Sequence, residues 1–190
     1  MSLFDELERP MSGALVTSAR QTWNTPADVL DEIRRFDAIG LDPCSNPQSI
    51  VGAATEWQLE RDGDSLARDW RGHGLVYCNP PYSRWLKRWM AKCSTAGCEV
   101  ISLTPARTDT VAWHSYAVTC DAVCFWRGRM RFLGAAASAP FPSALCYWGD
   151  RIDRFVEVFG RVGIVNVSAH RFKAAVVSRQ MGLDISVVPT

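Results

Sequence analysis

Short apolar runs recur along the chain at residues 38–42, 74–78, 99–103, 122–126, 143–148 and 163–168. Each is too short for a buried helix and is bounded by turn-forming residues, so each reads as a buried strand. Between them the apolar positions change to helical spacing. Val29, Leu30, Ile33 and Phe36 form one stripe, with Thr25 placed as N-cap, Pro26 as first helical residue and Asp28 in the first turn. A second helix is predicted from residue 83 to about 93, with Trp85, Leu86 and Trp89 facing the core. Others carry Trp113 with Tyr116, and residues 154–160. Trp57 is expected to close a short strand begun at Val51, and Trp70 to end a short helical piece. Residues 172–177 and 185–188 read as a terminal hairpin or edge. Alternating strands and helices, followed by strand-rich sequence, predict an α/β three-layer sandwich: a mostly parallel sheet with an antiparallel edge. Residues 1–20 show no sustained period and are expected to be a loose arm; residues 21–190 form a single domain.

The stretch with most chemical content is Asn79-Pro80-Pro81-Tyr82, directly after the predicted strand 74–78. Open α/β sheets bind ligands at the carboxyl ends of their strands. Two prolines have fixed φ and no N–H, so the backbone is stiff and its carbonyls have few local donors. The Asn79 side chain adds another acceptor, and Tyr82 a flat aromatic face. Such a set suits a planar group bearing an NH₂; a rigid turn accounts for the same four letters equally well. Asp42, closing the strand 38–42, has two readings as well: an acid for the hydroxyls or ammonium of a cofactor, or a turn-forming residue before Pro43.

Composition narrows the class. With 47% hydrophobic residues in 190, the chain has material for a full core. No apolar run approaches the ~18 residues of a membrane helix, and the acidic start lacks a signal-peptide core, so a cytoplasmic location and no membrane partner are expected. The seven cysteines are odd in number and several sit in apolar patterns, which suits reduced buried thiols. The Cys93/Cys98 and Cys120/Cys124 spacings are not those of zinc knuckles, and no metal is expected. The net charge of +1 hides an asymmetry. Residues 1–70 hold thirteen acids against six arginines, and residues 71–190 hold fifteen bases against seven acids. Eighteen of the 21 basic residues are Arg, whose fork grips phosphate and reads guanine edges. The segment Arg127-Gly128-Arg129-Met130-Arg131-Phe132 is the one best suited to phosphate.

Taken in order, Trp23-Asn24-Thr25-Pro26, Leu41-Asp42-Pro43-Cys44, Trp70, Asn79-Pro80-Pro81-Tyr82-Ser83, Pro105-Ala106-Arg107-Thr108-Asp109-Thr110 and the 127–132 segment resemble phage and prophage DNA N6-adenine methyltransferases of the Dam type. The resemblance runs from about residue 21 to 150. It implies a class I methyltransferase (Rossmann-like) fold that uses S-adenosylmethionine and acts on double-stranded DNA, with no obligate protein partner inferred. It implies that Asn79 and Pro80 accept the two N6 hydrogens of a flipped-out adenine, with Pro81 stiffening the loop and Tyr82 stacking on the base. On the cofactor side it implies Trp23, Thr25, Pro26, Asp42 and Pro43. Asp62 or Asp64 is the acid for the adenosine, with Glu56 also in play. Arg107, Arg127, Arg129 and Arg131 are implied for DNA. The chain departs from the broader methyltransferase pattern in one place: Pro43-Cys44-Ser45-Asn46 stands where a glycine-rich turn is usual. Two other classes share some of these features: an amino-methyltransferase acting on an RNA base or a protein glutamine, and a non-catalytic DNA-binding relative.

Overall fold

The computed structural model describes residues 23–168. The expected N-terminal arm, the terminal hairpin and the ends of the 21–190 domain lie outside the described residues. Within them, five helices and seven strands follow one another. They are α1 (Ala27–Phe36), β1 (Ile39–Ser45), β2 (Thr55–Gln58), α2 (Leu59–Asp62), β3 (Leu75–Cys78), α3 (Leu86–Thr95), β4 (Val100–Pro105), α4 (Val111–Ser115), β5 (Ala122–Trp126), β6 (Ser143–Trp148), α5 (Ile152–Phe159) and β7 (Gly163–Val167).

The strands form one sheet in the order β2-β1-β3-β4-β6-β5-β7. β2, β1, β3 and β4 are mutually parallel, and β6 then inserts antiparallel between β4 and β5. With β7 antiparallel to β5, five of the seven strands run one way and the antiparallel pairings lie on the β6-β5-β7 side, which is compatible with the expected mostly parallel sheet. β3, β4 and β6 are buried along their whole length, as expected for strands covered on both faces.

Strict alternation divides the core between the two faces. Leu75, Tyr77, Ile101, Leu103, Leu145 and Tyr147 pack with α1 and α5. Val76, Cys78, Val100, Ala144, Cys146 and Trp148 pack with α3 and α4 on the other side. Trp70 is buried there too, donating its indole N–H to the Ser65 carbonyl at 2.9 Å; it follows a single 3₁₀ turn, Ser65–Ala67. All seven cysteines are free thiols.

β1 breaks the alternation. Ile39 packs on the α1 face and Leu41, two residues later, on the α3 face. The pairing explains this: Ile39 lies opposite Leu75 and Leu41 opposite Val76, two steps on β1 against one on β3. Gly40 is the extra residue of a bulge. It sits so close to its neighbour that a Cβ there would lie 1.6 Å from the His73 carbonyl oxygen. A second slip, between Asp42 and Ser45 against β2, carries the strand on to Ser45. The sequence led us to expect β1 to end at Asp42 and turn. Instead, pairing with β2 continues through Pro43, which needs no N–H on a bulged segment.

Two local expectations are corrected. Thr25 is not the N-cap of α1; Pro26 holds that position without a side-chain cap, because the Thr25 hydroxyl is bonded elsewhere. Trp85 does not face the core; α3 starts at Leu86, and Trp85 is 44% exposed. Replacing Gly40 by alanine is expected to cost about 3 kcal/mol or more, since backbone rather than a flexible side chain must move. Urea unfolding of the Gly40→Ala protein measures this, and an unchanged midpoint would contradict the bulge.

Candidate active site

From β1 the chain goes first to β2 on one side and then to β3 on the other. The carboxyl ends of β1 and β3 therefore flank a topological switch point, where open sheets leave a crevice. A cavity of about 460 Å³ opens there. Its walls come from the segment before α1, from the end of β1, from Asp64 and Leu66, and from the Asn79-Pro80-Pro81 loop with the start of α3.

The centre of the site is the Asn79 side chain. Its Nδ2 donates to the Trp23 carbonyl at 2.5 Å and to Thr25 Oγ1 at 3.0 Å. Thr25, only 3% exposed, is in turn bonded to the Tyr77 hydroxyl at 2.8 Å. Asn79 Oδ1 is buried and has no hydrogen-bond partner among the described residues. Buried acceptors are rarely left unpaired in native proteins, so this oxygen needs a ligand to explain it. No described backbone N–H reaches the Pro80 carbonyl either, whereas the Pro81 carbonyl accepts from Ser83 N–H at 2.9 Å.

Asp42 lines the cavity and is 3% exposed. Burial is the main reason its pKa rises to about 7, opposed by the Cys44 backbone N–H, which donates to Oδ1 at 3.0 Å. Glu56, opposite Asp42 on β2, adds to the rise. An acid so placed is poised to be completed by a cation or by hydroxyl donors. The neighbouring thiols Cys44 and Cys78 have their sulfurs 3.7 Å apart. Burial pushes Cys44 up to about 11 and Cys78 well above the usual thiol value; they are packing groups rather than nucleophiles.

Of the residues expected on the cofactor side, Trp23, Thr25, Asp42, Pro43 and Asp64 line this cavity. Pro26 and Asp62 do not. Pro26 is the N-cap residue of α1, and the Asp62 carboxylate accepts from Gln58 N–H at 2.8 Å and pairs with Arg61. Glu56 is also outside, accepting from the Ser45 hydroxyl and the Gly52 N–H. Tyr82 is not a cavity residue. Its ring packs edgewise on Phe132 and Phe141 at 6.0 and 5.5 Å, and its hydroxyl donates to the Leu103 carbonyl at 3.3 Å. The sequence reading missed Asn24, Asn46, Leu66, Trp85 and Arg88. Asn46 Nδ2 donates to Asn24 Oδ1 at 2.7 Å and closes one wall. Trp85 lies beside two guanidinium groups, Arg84 at 4.9 Å and Arg88 at 5.2 Å; a WxxR spacing after the prolines was the available signal.

A family model described as DNA N-6-adenine-methyltransferase (Dam) matches residues 13–144, more than half of the chain. The chain belongs to that family. Comparisons with curated proteins and with solved structures return no match. At the level of the family, this Dam protein is a DNA adenine methyltransferase. The matched span takes in the Asn79 loop, both cavity-forming strand ends and the Arg127–Arg131 segment. Among the described residues no helix is long and apolar enough to cross a membrane, and no group of three or more His, Cys, Asp or Glu could hold a metal ion.

The four expected DNA residues are all exposed. Arg107 follows β4, and Arg127, Arg129 and Arg131 follow β5. Both strands run in the direction of β3, so these arginines share the sheet edge with Asn79. Arg107 also lies over the Phe141 ring at 5.7 Å, and Arg131 Nε donates to the Ala135 carbonyl.

The raised pKa of Asp42 gives a pH-dependent prediction. An ordinary unfolded carboxyl titrates near 3.8 and the folded one near 7. The folded state therefore binds the proton more tightly, and stability falls as pH rises between these values. Asp42→Asn is expected to unfold at nearly the wild-type temperature at pH 4. At pH 8 it should unfold several degrees higher. Thermal scans across that range check the sign.

Proposed function

We propose that this Dam-family chain transfers a methyl group from S-adenosylmethionine to N6 of an adenine flipped out of double-stranded DNA. The carrying observation is the buried Asn79 Oδ1, which has no hydrogen-bond partner among the described residues, beside a Pro80 carbonyl that no described backbone N–H reaches. Two fixed acceptors suit the two hydrogens of an exocyclic amine, and the adjacent prolines keep them in place.

The cavity fits the cofactor in size and in chemistry. Asp42 would take its cationic or hydroxyl-bearing part, since a cation there relieves the cost of ionising a buried acid. Leu66, Trp85 and Pro81 supply an apolar end for an aromatic base. Asp64, rather than Asp62 or Glu56, is the acid within reach of that end. Strand backbone at Pro43 to Asn46 takes the place of a glycine-rich turn. When bound, the cofactor supplies a methyl group on a positively charged sulfur.

The protein's contribution is positional and electrostatic. Asn79 Oδ1 and the Pro80 carbonyl orient the amine so that its lone pair, not its hydrogens, meets the methyl carbon. They also stabilise the positive charge that develops on nitrogen as the new bond forms. No strong base is needed, because the nitrogen becomes acidic as it is methylated. Tyr82 would reach the base only as part of the aromatic group it forms with Phe132 and Phe141. Arg107, Arg127, Arg129 and Arg131 would hold phosphates along the exposed edge. The strand order, with β6 antiparallel next to β4, is consistent with a class I methyltransferase fold. The reading places the enzyme in the cytoplasm of a bacterial or phage-infected cell, without an obligate protein partner.

Labelled S-adenosylmethionine and duplex DNA test the reaction, and modification-sensitive sequencing of DNA from expressing cells tests activity and site together. Label should appear on adenine N6, and Asn79→Ala should lose about 10²- to 10³-fold in rate with its fold intact. Transfer to RNA or protein but never to DNA would overturn the proposal. Arg129→Ala should weaken DNA binding about equally for all sequences. It should also lower the slope of log affinity against log salt by roughly one; a slope unchanged in a salt titration would remove Arg129 from the interface.

A further inference from the structure

We infer that Thr25 and Tyr77 are positioning residues, which with the Trp23 carbonyl fix the flip of the Asn79 carboxamide so that its oxygen is the end offered to the substrate amine. The inference rests on the proposed role of Asn79 and extends it to groups that touch neither the amine nor, for Tyr77, the cavity.

An asparagine side chain has two nearly isosteric ends, and its flip is set by its neighbours. Here one neighbour admits a single answer. The Trp23 carbonyl only accepts, and it stands 2.5 Å from the nitrogen end of Asn79. Rotating the amide would bring two carbonyl oxygens into contact and would leave an NH₂ in the buried position that Oδ1 holds. An NH₂ there would meet the hydrogens of an amine and repel them. The Thr25 hydroxyl adds the second acceptor, 3.0 Å from Nδ2. A hydroxyl can donate as well as accept, so by itself it would allow either flip. The Tyr77 hydroxyl, 2.8 Å away and buried in the sheet, ties the Thr25 side chain to a fixed place.

The same geometry accounts for an amide rather than a carboxylate at position 79. An aspartate has no donor for the Trp23 carbonyl and would have to be protonated to sit there. It also accounts for the position of Thr25: a helix cap would have turned its hydroxyl towards α1, where no side-chain cap is found.

The test compares Thr25→Val, Thr25→Ser, Tyr77→Phe and the Thr25→Val/Tyr77→Phe pair with the wild type. The first readout needs no activity: proton exchange of the Asn79 side-chain amide by NMR, assigned from the signal lost in Asn79→Ala. The amide should be protected in the wild type and in Thr25→Ser. It should exchange about tenfold faster in Thr25→Val and be intermediate in Tyr77→Phe, while the hydrogen-bonded Trp70 and Trp148 N–H signals stay protected. The second readout is kinetic. Thr25→Val should lose about 10- to 100-fold in kcat, and Tyr77→Phe several-fold at unchanged cofactor and DNA affinity. Thr25→Ser should recover most of the rate. The double variant should fall no further than Thr25→Val, because both act through one group.

Unchanged exchange in Thr25→Val, a loss spread over all buried amides, or additive kinetic effects would overturn the inference. Should exchange behave as expected while the wild type transfers no methyl group to DNA, the proposed reaction fails. The claim that this device serves an amine substrate then falls with it.

Discussion

Everything at the carboxyl edge of this sheet depends on one side-chain NH₂, that of Asn79, which donates to two groups more than fifty residues away in sequence. Those bonds join the end of β3 to the segment 23–25. The same segment accepts Leu133 N–H at the Asn24 carbonyl, which anchors the long connection between β5 and β6. Trp23 packs on Phe132 and Phe141, so the aromatic group containing Tyr82 is braced from the same point. A single side chain thus sets the distance between the wall of a cavity and the loops that carry the exposed arginines.

Charge is arranged to match. The acid at the centre of the cavity is buried and lies close to its titration point, while the cations stand on the rim in solvent. Burying an acid without a countercharge is costly, and the protein accepts that cost at Asp42 alone among its described acids, at the place where a ligand can relieve it. The arginines at this sheet edge are exposed, in high dielectric, where on the proposed reading they would attract a polyanion over a distance and hold it loosely.

Much of this was legible in the sequence, and the reasons for the rest are specific. β5 and β6 were read to the residue, because their apolar runs are uninterrupted and bounded by turn residues. The stripe of α1 was plain, and the Asn79-Pro80-Pro81 loop stands where it was expected, after a buried strand. Thr25 was misplaced because cap preferences are local, whereas its true partners, Tyr77 and Asn79, are far away in the chain. Trp85 was assigned to the core because periodicity was counted from Ser83; the turn through Ser83 to Trp85 delays the helix and shifts its phase. Asp62 and Asp64 could not be separated by spacing, since only the 3₁₀ turn capped by Asp64 brings one of them to the cavity. The mostly parallel core followed from strand and helix alternation, whereas the insertion of β6 between β4 and β5 was not legible, because strand direction is not written in a strand's composition.

The bulge at Gly40 has a consequence for how this site is encoded. Upstream of it, odd-numbered β1 residues look towards α1; downstream, they look towards α3. Asp42 therefore lies on the cavity side by virtue of a one-residue phase slip, not of its distance from the start of the strand. The same residues paired in a regular ladder from Ile39 would bring Asp42 level with Cys78 and turn the carboxylate into the tryptophan-lined core on the opposite face, with every cavity residue still present in the chain. At this strand the site is specified by counting as much as by chemistry. A shift in pairing invisible to a motif would silence it as surely as losing the acid itself.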